Sequence, residues 1–132
     1  MKIEQIKKNV EPEIKFYDGI CLTEFKKLLE RWKEILSLVH QEIEKYVNDD
    51  DVCFHDQDNL FPVRSRLTGH YYIDCVSYIK HINPIGFRIL VNIKLTEPTP
   101  DGEDDYLGLD VTLFTHSEND IFEVWGIDSS SI

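Results

Sequence analysis

The hydrophobic pattern of the chain changes period once, and this change limits the folds available to it. Residues 22–47 read LTEFKKLLERWKEILSLVHQEIEKYV, in which apolar side chains recur at steps of three and four. That spacing places them on one face of an α-helix. After residue 62 the apolar positions alternate, which is the pattern of a strand with one buried face. The chain is therefore predicted to form one long amphipathic helix followed by strands.

The helix prediction depends on a continuous apolar stripe with a suitable first turn. Thr23 is a plausible N-cap, and Glu24 complements the positive end of the helix dipole. Lys, Arg and Glu side chains of mixed sign occupy the opposite face, which is typical of a solvated surface. The stripe consists of Phe25, Leu28, Leu29, Trp32, Ile35, Leu36, Val39, Ile43, Tyr46 and Val47.

Four strands are predicted, separated by the turn sequences HINP, TPDGEDD and HSEND. They are RLTGHYYIDCVSYI at 66–79, IGFRILVNIKL at 85–95, YLGLDVTLF at 106–114 and IFEVWGI at 121–127. In the first of them, alternation places Tyr71, Ile73 and Cys75 on the buried face. EIKFY at 13–17 is expected to add a short strand in front. We therefore expect a single α+β domain over 1–132, with the helix packed on a curled four- to five-stranded antiparallel meander.

This strand–helix–meander order resembles the cystatin-like layout. Cystatin inhibitors carry a Q-x-V-x-G loop in the first hairpin, where this chain has KHINP at 80–84. Their Pro-Trp dipeptide in the second hairpin is also missing from the sequence. The resemblance therefore implies a layout and does not imply inhibition of cysteine proteases.

The charge balance narrows the class of partner. The formal net charge is -11, with 25 acidic against 14 basic residues among 132. Nucleic acids and anionic membrane surfaces both require basic patches, so neither is expected to bind. A cation or a protein with a basic face is the expected partner.

The predicted topology gathers the acidic loops at one end of the molecule. If the helix ends at the top of the sheet, the stretch VNDDDVCFHDQDN at 47–59 and the hairpin 97–105 both lie there. Aspartates beside a helix C-terminus cost folding energy, so their presence suggests a binding role. This predicted acidic end comprises Asp49, Asp50, Asp51, Asp56, Asp58, Glu97, Asp101, Glu103, Asp104, Asp105 and Asp128. Phe54, Leu60 and Phe61 are the expected apolar anchors beside it.

Two alternative roles for the acidic loops stay open. They could serve solubility alone. They could also bind calcium, although no register of 49–60 or 101–112 gives the D-x-[DN]-x-[DN]-G loop with a glutamate at its twelfth position. No metal site is therefore predicted.

No catalytic motif stands out in the sequence, so neither enzymatic activity nor a cofactor is predicted. Cys21, Cys53 and Cys75 are odd in number and form no C-x-x-C pair, as expected of reduced thiols in a cytoplasmic protein. Cys53, His55 and Asp56 lie close together in CFHD, but a dense acidic surround would raise the pKa of a thiol nucleophile. The N-terminal sequence lacks the apolar core of a signal peptide.

The sheet face turned away from the helix is predicted to be rich in aromatic and arginine side chains. These residue types are enriched in interface hot spots, although cross-strand aromatic pairs also stabilise sheets. Whether this face is covered or available to a partner is left open. The residues predicted to point outward are Arg66, His70, Tyr72, Tyr78, Arg88, Leu90, Tyr106, Phe114 and Trp125.

Taken together, the acidic loop at 48–58, DYLGLDVTLF at 105–114 and the final FEVWGIDSSSI resemble bacterial toxin-immunity proteins of the contact-dependent growth-inhibition or polymorphic-toxin type. The resemblance implies a cytoplasmic protein that neutralises a cognate toxin by tight binding. Two alternatives stay open. One is a nuclear-transport-factor-like domain with a cavity for a small molecule or a reaction. The other is a structural protein that oligomerises through its sheet face.

Overall fold

The computed structural model describes residues 2–6, 13–15, 29–49, 66–79, 85–115 and 121–130. Within these ranges the chain forms one helix and six strands. They are β1 Glu4–Gln5, β2 Glu13–Lys15, α1 Trp32–Asn48, β3 Leu67–Tyr78, β4 Ile85–Leu95, β5 Tyr106–Thr115 and β6 Glu123–Ser130.

The strands form one open, mostly antiparallel sheet. β3, β4, β5 and β6 follow one another as an antiparallel meander. The two short N-terminal strands share the position beside β3 and run parallel to it, β1 opposite His70 and Tyr71 and β2 opposite 75–77. The predicted α+β fold, with one helix on a mostly antiparallel sheet, is confirmed, and the expected short strand lies at Glu13–Lys15.

Helix α1 packs its apolar side chains on one face of this sheet. Trp32, Ile35, Val39, Ile43 and Val47 are buried, at the three- and four-residue steps seen in the sequence. One continuous helix was predicted from residue 22, but α1 begins at Trp32: Leu29 and Glu30 are helical, and a turn at Arg31, the N-cap of α1, interrupts the helix. The proposed cap Thr23 lies outside the described ranges. At its other end α1 stops at Asn48, and Asp49 has an extended backbone.

The core lies between α1 and the helix-facing side of the central strands. Ile35 and Ile43 of the helix are fully buried, as are Ile89 and Ile93 of β4 and Val111 of β5. Burying one such side chain stabilises the fold by roughly 1.5–3 kcal/mol. The apolar seam between the helix and the strands therefore fixes which face of the sheet is left for other contacts.

Strand β3 contains two irregularities that alternation alone did not predict. Gly69 has a φ of 89°, and the register shifts between Leu67 and Tyr71. A second shift, between Ile73 and Cys75, pairs Cys75 with Leu90 and Val76 with Ile89. The prediction that Cys75 faces the helix is therefore wrong: Val76 joins the core in its place. Because of the same shift, Tyr78 pairs with Phe87 of β4.

Strand β6 carries a bulge at Trp125. Leu113 pairs with Val124 and Thr112 with Gly126, so one residue of β6 is left over between the two pairs. The bulge lets Val124 and Ile127 both pack against the core, and Trp125 is 68% exposed. As the sequence predicted, Trp125 points away from the core, whereas Phe122 is buried. No helix in the described part of the chain is both long and apolar enough to cross a membrane.

We expect Ile43→Ala to lower the free energy of unfolding by roughly 2–5 kcal/mol, because Ile43 is fully buried in the seam and its loss leaves a cavity. Urea denaturation measures the change. Lys33→Ala, on the exposed side of the same helix, is the control and should change stability by about 0.5 kcal/mol or less. Equal effects of the two substitutions would contradict the proposed packing.

Candidate functional site

The hairpin between β4 and β5 holds an acidic turn, defined here as residues 96–105, in one hydrogen-bonded conformation. Gly102 donates its N–H to the Thr99 carbonyl at 2.9 Å, and Thr99 donates its own to Glu103 at 2.8 Å. The Glu103 N–H also reaches the Thr99 hydroxyl at 3.3 Å. Gly102 has a φ of 83°, which suits glycine. The sequence TPDG therefore forms the tight turn that its Pro and Gly predict.

Two of the five carboxylates in the acidic turn are compensated by neighbouring cations. Asp104 lies 3.4 Å from the Lys94 ammonium, and Asp105 lies 3.9 Å from the Arg66 guanidinium. Glu97, Asp101 and Glu103 are exposed. No Lys or Arg of the described ranges lies within 4 Å of these three carboxylates, so no described cation compensates them.

A contact at its start and an electrostatic interaction near its end indicate which way α1 runs along the sheet. At the start, the Arg31 guanidinium lies 4.4 Å from the centre of the Phe122 ring, just before β6. Near the end, burial and then the negative charge of Asp128, late in β6, raise the pKa of Tyr46. Helix and strand therefore run in the same direction. Asp49 follows the helix toward the end of the sheet where β4 passes into the acidic turn.

The predicted acidic end also included Asp128 and the residues of the loop that follows α1. Asp128 lies within β6, opposite Asp110, and not in a loop at the end of the sheet as predicted. Its carboxylate therefore belongs to a sheet face and is separated from the acidic turn by several rungs of the ladder. The residues that lie outside the described ranges are Asp50, Asp51, Phe54, Asp56, Asp58, Leu60 and Phe61. Their part in binding stays a prediction.

The outer face, the side of the sheet opposite α1, carries two aromatic pairs. The Tyr72 and Tyr106 rings meet edge to face with centroids 5.2 Å apart, and Asn92 donates a 3.0 Å hydrogen bond to the Tyr72 hydroxyl. Phe114 and Trp125 also meet edge to face, at 6.1 Å. The sequence predicted that these four aromatic residues point outward, and their mutual contacts follow from the strand register.

Two carboxylates face each other on the outer face. The register places Leu90, Asp110 and Asp128 in one row across β4, β5 and β6. Burial raises the pKa of Asp110; the nearby Arg88 opposes this shift and Asp128 adds to it. Like charges on directly opposed positions destabilise a sheet. Sequence reasoning missed Asp110, although its place between Leu109 and Val111 already put it on the polar side of β5.

The described residues contain no group of three or more His, Cys, Asp or Glu side chains that could hold a metal ion. Of the three cysteines, Cys75 lies in the described ranges and is buried. Comparison with known protein families, with curated proteins and with solved structures gives no match to this chain.

We expect Asp110→Asn to stabilise the protein at neutral pH. A raised pKa means that the folded state favours the protonated carboxyl, so ionised Asp110 destabilises the fold at every pH above its folded pKa. The gain from Asp110→Asn should shrink as the pH falls through that pKa toward the ordinary value of 3.8. Thermal denaturation at about pH 7 and about pH 4 measures the difference.

Asp101→Asn removes the same charge from an exposed position in the acidic turn and serves as the control. A stabilisation by Asp110→Asn that is equal at both pH values would show that the ionisation of Asp110 is not its cause.

Proposed function

We propose that this chain is a non-catalytic acidic protein that binds a basic protein, and that the partner is a cognate bacterial toxin which it neutralises as an immunity protein. The observation that carries the proposal is the acidic turn. Glu97, Asp101 and Glu103 project from a backbone that hydrogen bonds already hold in place. A preorganised surface loses little conformational entropy when a partner binds.

The charge distribution supports a partner that is captured quickly. The net charge of -11 makes long-range attraction to a cationic surface strong. The uncompensated carboxylates at one end of the sheet would orient the approaching partner. An inhibitor of a toxin benefits from a high association rate, because each free toxin molecule continues to act until it is bound. Cytoplasmic location and the absence of a cofactor are part of this proposal.

The packing between helix and sheet also favours a binding surface over an internal cavity. The described residues of this seam are mainly aliphatic, with Ile35, Val39 and Ile43 against Ile89 and Val91. A nuclear-transport-factor-like pocket would instead be lined by polar side chains. The cystatin-like layout belongs to the same proposal, and it is supported by one helix lying across one face of an antiparallel meander.

The association kinetics test the proposal directly. The partner to use is a toxin domain, and the reading frames beside the gene for this chain are the place to look for it. We expect the double variant Glu97→Lys with Glu103→Lys to slow association roughly tenfold at low salt and to flatten its salt dependence. Stopped-flow mixing at several ionic strengths measures both effects, and rescue of growth by co-expression measures neutralisation.

The matched control is the double variant Glu4→Lys with Glu30→Lys, which makes the same change in net charge at two exposed positions elsewhere. The control should associate faster than Glu97→Lys with Glu103→Lys and should restore more growth on co-expression. If both double variants slow association equally, total charge and not the acidic turn attracts the partner.

Self-association is a second candidate, favoured by exposed apolar side chains next to the last strand of the described sheet. Ile121 is 71% exposed and Trp125 is 68% exposed. The large net negative charge opposes contact between two copies. We expect sedimentation velocity at micromolar concentration to show a monomer. A dimer that Trp125→Ser dissociates would favour the oligomeric alternative.

A further inference from the structure

Three neighbouring rows of the outer face form a strip with an aromatic pair at one end and a carboxylate pair at the other. Phe114 and Trp125 form the first end, where the register also pairs Phe114 with Glu123. Thr112 and Gly126, which pair in the register, follow in the next row, and Asp110 and Asp128 pair at the far end. The rise per residue of a strand makes the strip about 10–13 Å long. We call the six residues other than Glu123 the Gly126 strip.

Gly126 leaves the middle of the strip open. A Cβ built on it would meet no atom within 4 Å, and its backbone does not adopt a positive φ. Neither strain nor crowding therefore requires glycine at this position. A glycine inside a strand weakens it, and such glycines often mark a bulge, like the one at the neighbouring Trp125, or a site that a ligand or another backbone approaches closely.

The charges of the strip favour a cation. Asp110 and Asp128 face each other directly, and Arg88, in the adjacent row of β4, provides one positive charge for the pair. An arriving cation would relieve the repulsion between the two carboxylates and the cost of burying Asp110. A binding group with an apolar stem and a charged head would also cover the exposed ring of Trp125.

We propose that the Gly126 strip receives an arginine side chain of the basic partner, with its stem over Gly126 and Trp125 and its guanidinium at Asp110 and Asp128. The inference rests on the proposed function and deepens it, because it assigns the specific anchor that follows capture by the acidic turn. The planar guanidinium presents several donors in a fixed fork and is weakly hydrated, so it suits two adjacent carboxylates better than an ammonium does.

The experiment is a nuclear magnetic resonance titration of the ¹⁵N-labelled full chain with the capped tripeptide acetyl-Gly-Arg-Gly-amide. Two further probes replace its arginine by citrulline, which keeps the shape without the charge, or by lysine, which keeps the charge without the plane. We expect saturable shifts at the Gly126 and Asp128 amides and the Trp125 indole with the arginine probe. The lysine probe should bind more weakly, and the citrulline probe should give no saturable shift.

The variant that isolates the strip is Gly126→Val, which fills the opening without changing any charge. Its Cβ has free space and valine favours strands, so thermal denaturation should show unchanged or higher stability. We expect this variant to weaken binding of the arginine probe by about tenfold or more. Glu97→Lys with Glu103→Lys should leave these localised shifts in place.

The inference would be overturned if the citrulline probe bound as well as the arginine probe, or if Gly126→Val bound the arginine probe like the parent protein. The arginine, lysine and citrulline probes are compared on the parent protein. That comparison therefore tests the inference even if Gly126→Val folds poorly. Shifts confined to the acidic turn would also overturn it. The proposed function would then still stand or fall on the kinetics of the Glu97 and Glu103 variant.

Discussion

The apolar seam between α1 and the sheet is the contact on which the other features depend. Ile35, Val39 and Ile43 occupy one side of the sheet, so polar and aromatic side chains on alternate strand positions are turned to the other. Because the side-chain period of a strand is two, a register slip of one residue would exchange the two faces. The burial of a few aliphatic residues thus determines which carboxylates and rings are displayed together.

In this molecule, strand pairing brings together side chains whose charges repel each other. The ladder between β5 and β6 places Asp110 against Asp128, and a carboxylate pair of this kind lowers stability. Carboxylates also lie close together in the acidic turn, but there Lys94 and Arg66 compensate the charges of Asp104 and Asp105. Asp104 and Asp105 are thus compensated within the fold, whereas Asp110 and Asp128 face each other with Arg88 as a nearby positive charge.

Periodicity was sufficient to predict the helix, the four long strands and the turn at TPDG, because each depends on local spacing. It also predicted the outward aromatic residues of β5 and β6. It could not predict the shift after Ile73 that replaces Cys75 by Val76 in the core, because a bulge is defined by the partner strand. The pairing of Asp110 with Asp128 was missed for the same reason, since it depends on the extra residue at Trp125.

The two tryptophans of the chain occupy opposite environments, and this gives the protein a built-in pair of optical reporters. Trp32 is 6% exposed and belongs to the core, whereas Trp125 stands in solvent. An aqueous quencher therefore reaches one indole and not the other while the chain is folded. Emission from the shielded ring follows loss of tertiary structure, and emission from the accessible ring responds to any molecule that covers Trp125, so unfolding and changes at the sheet surface can be observed separately without a label.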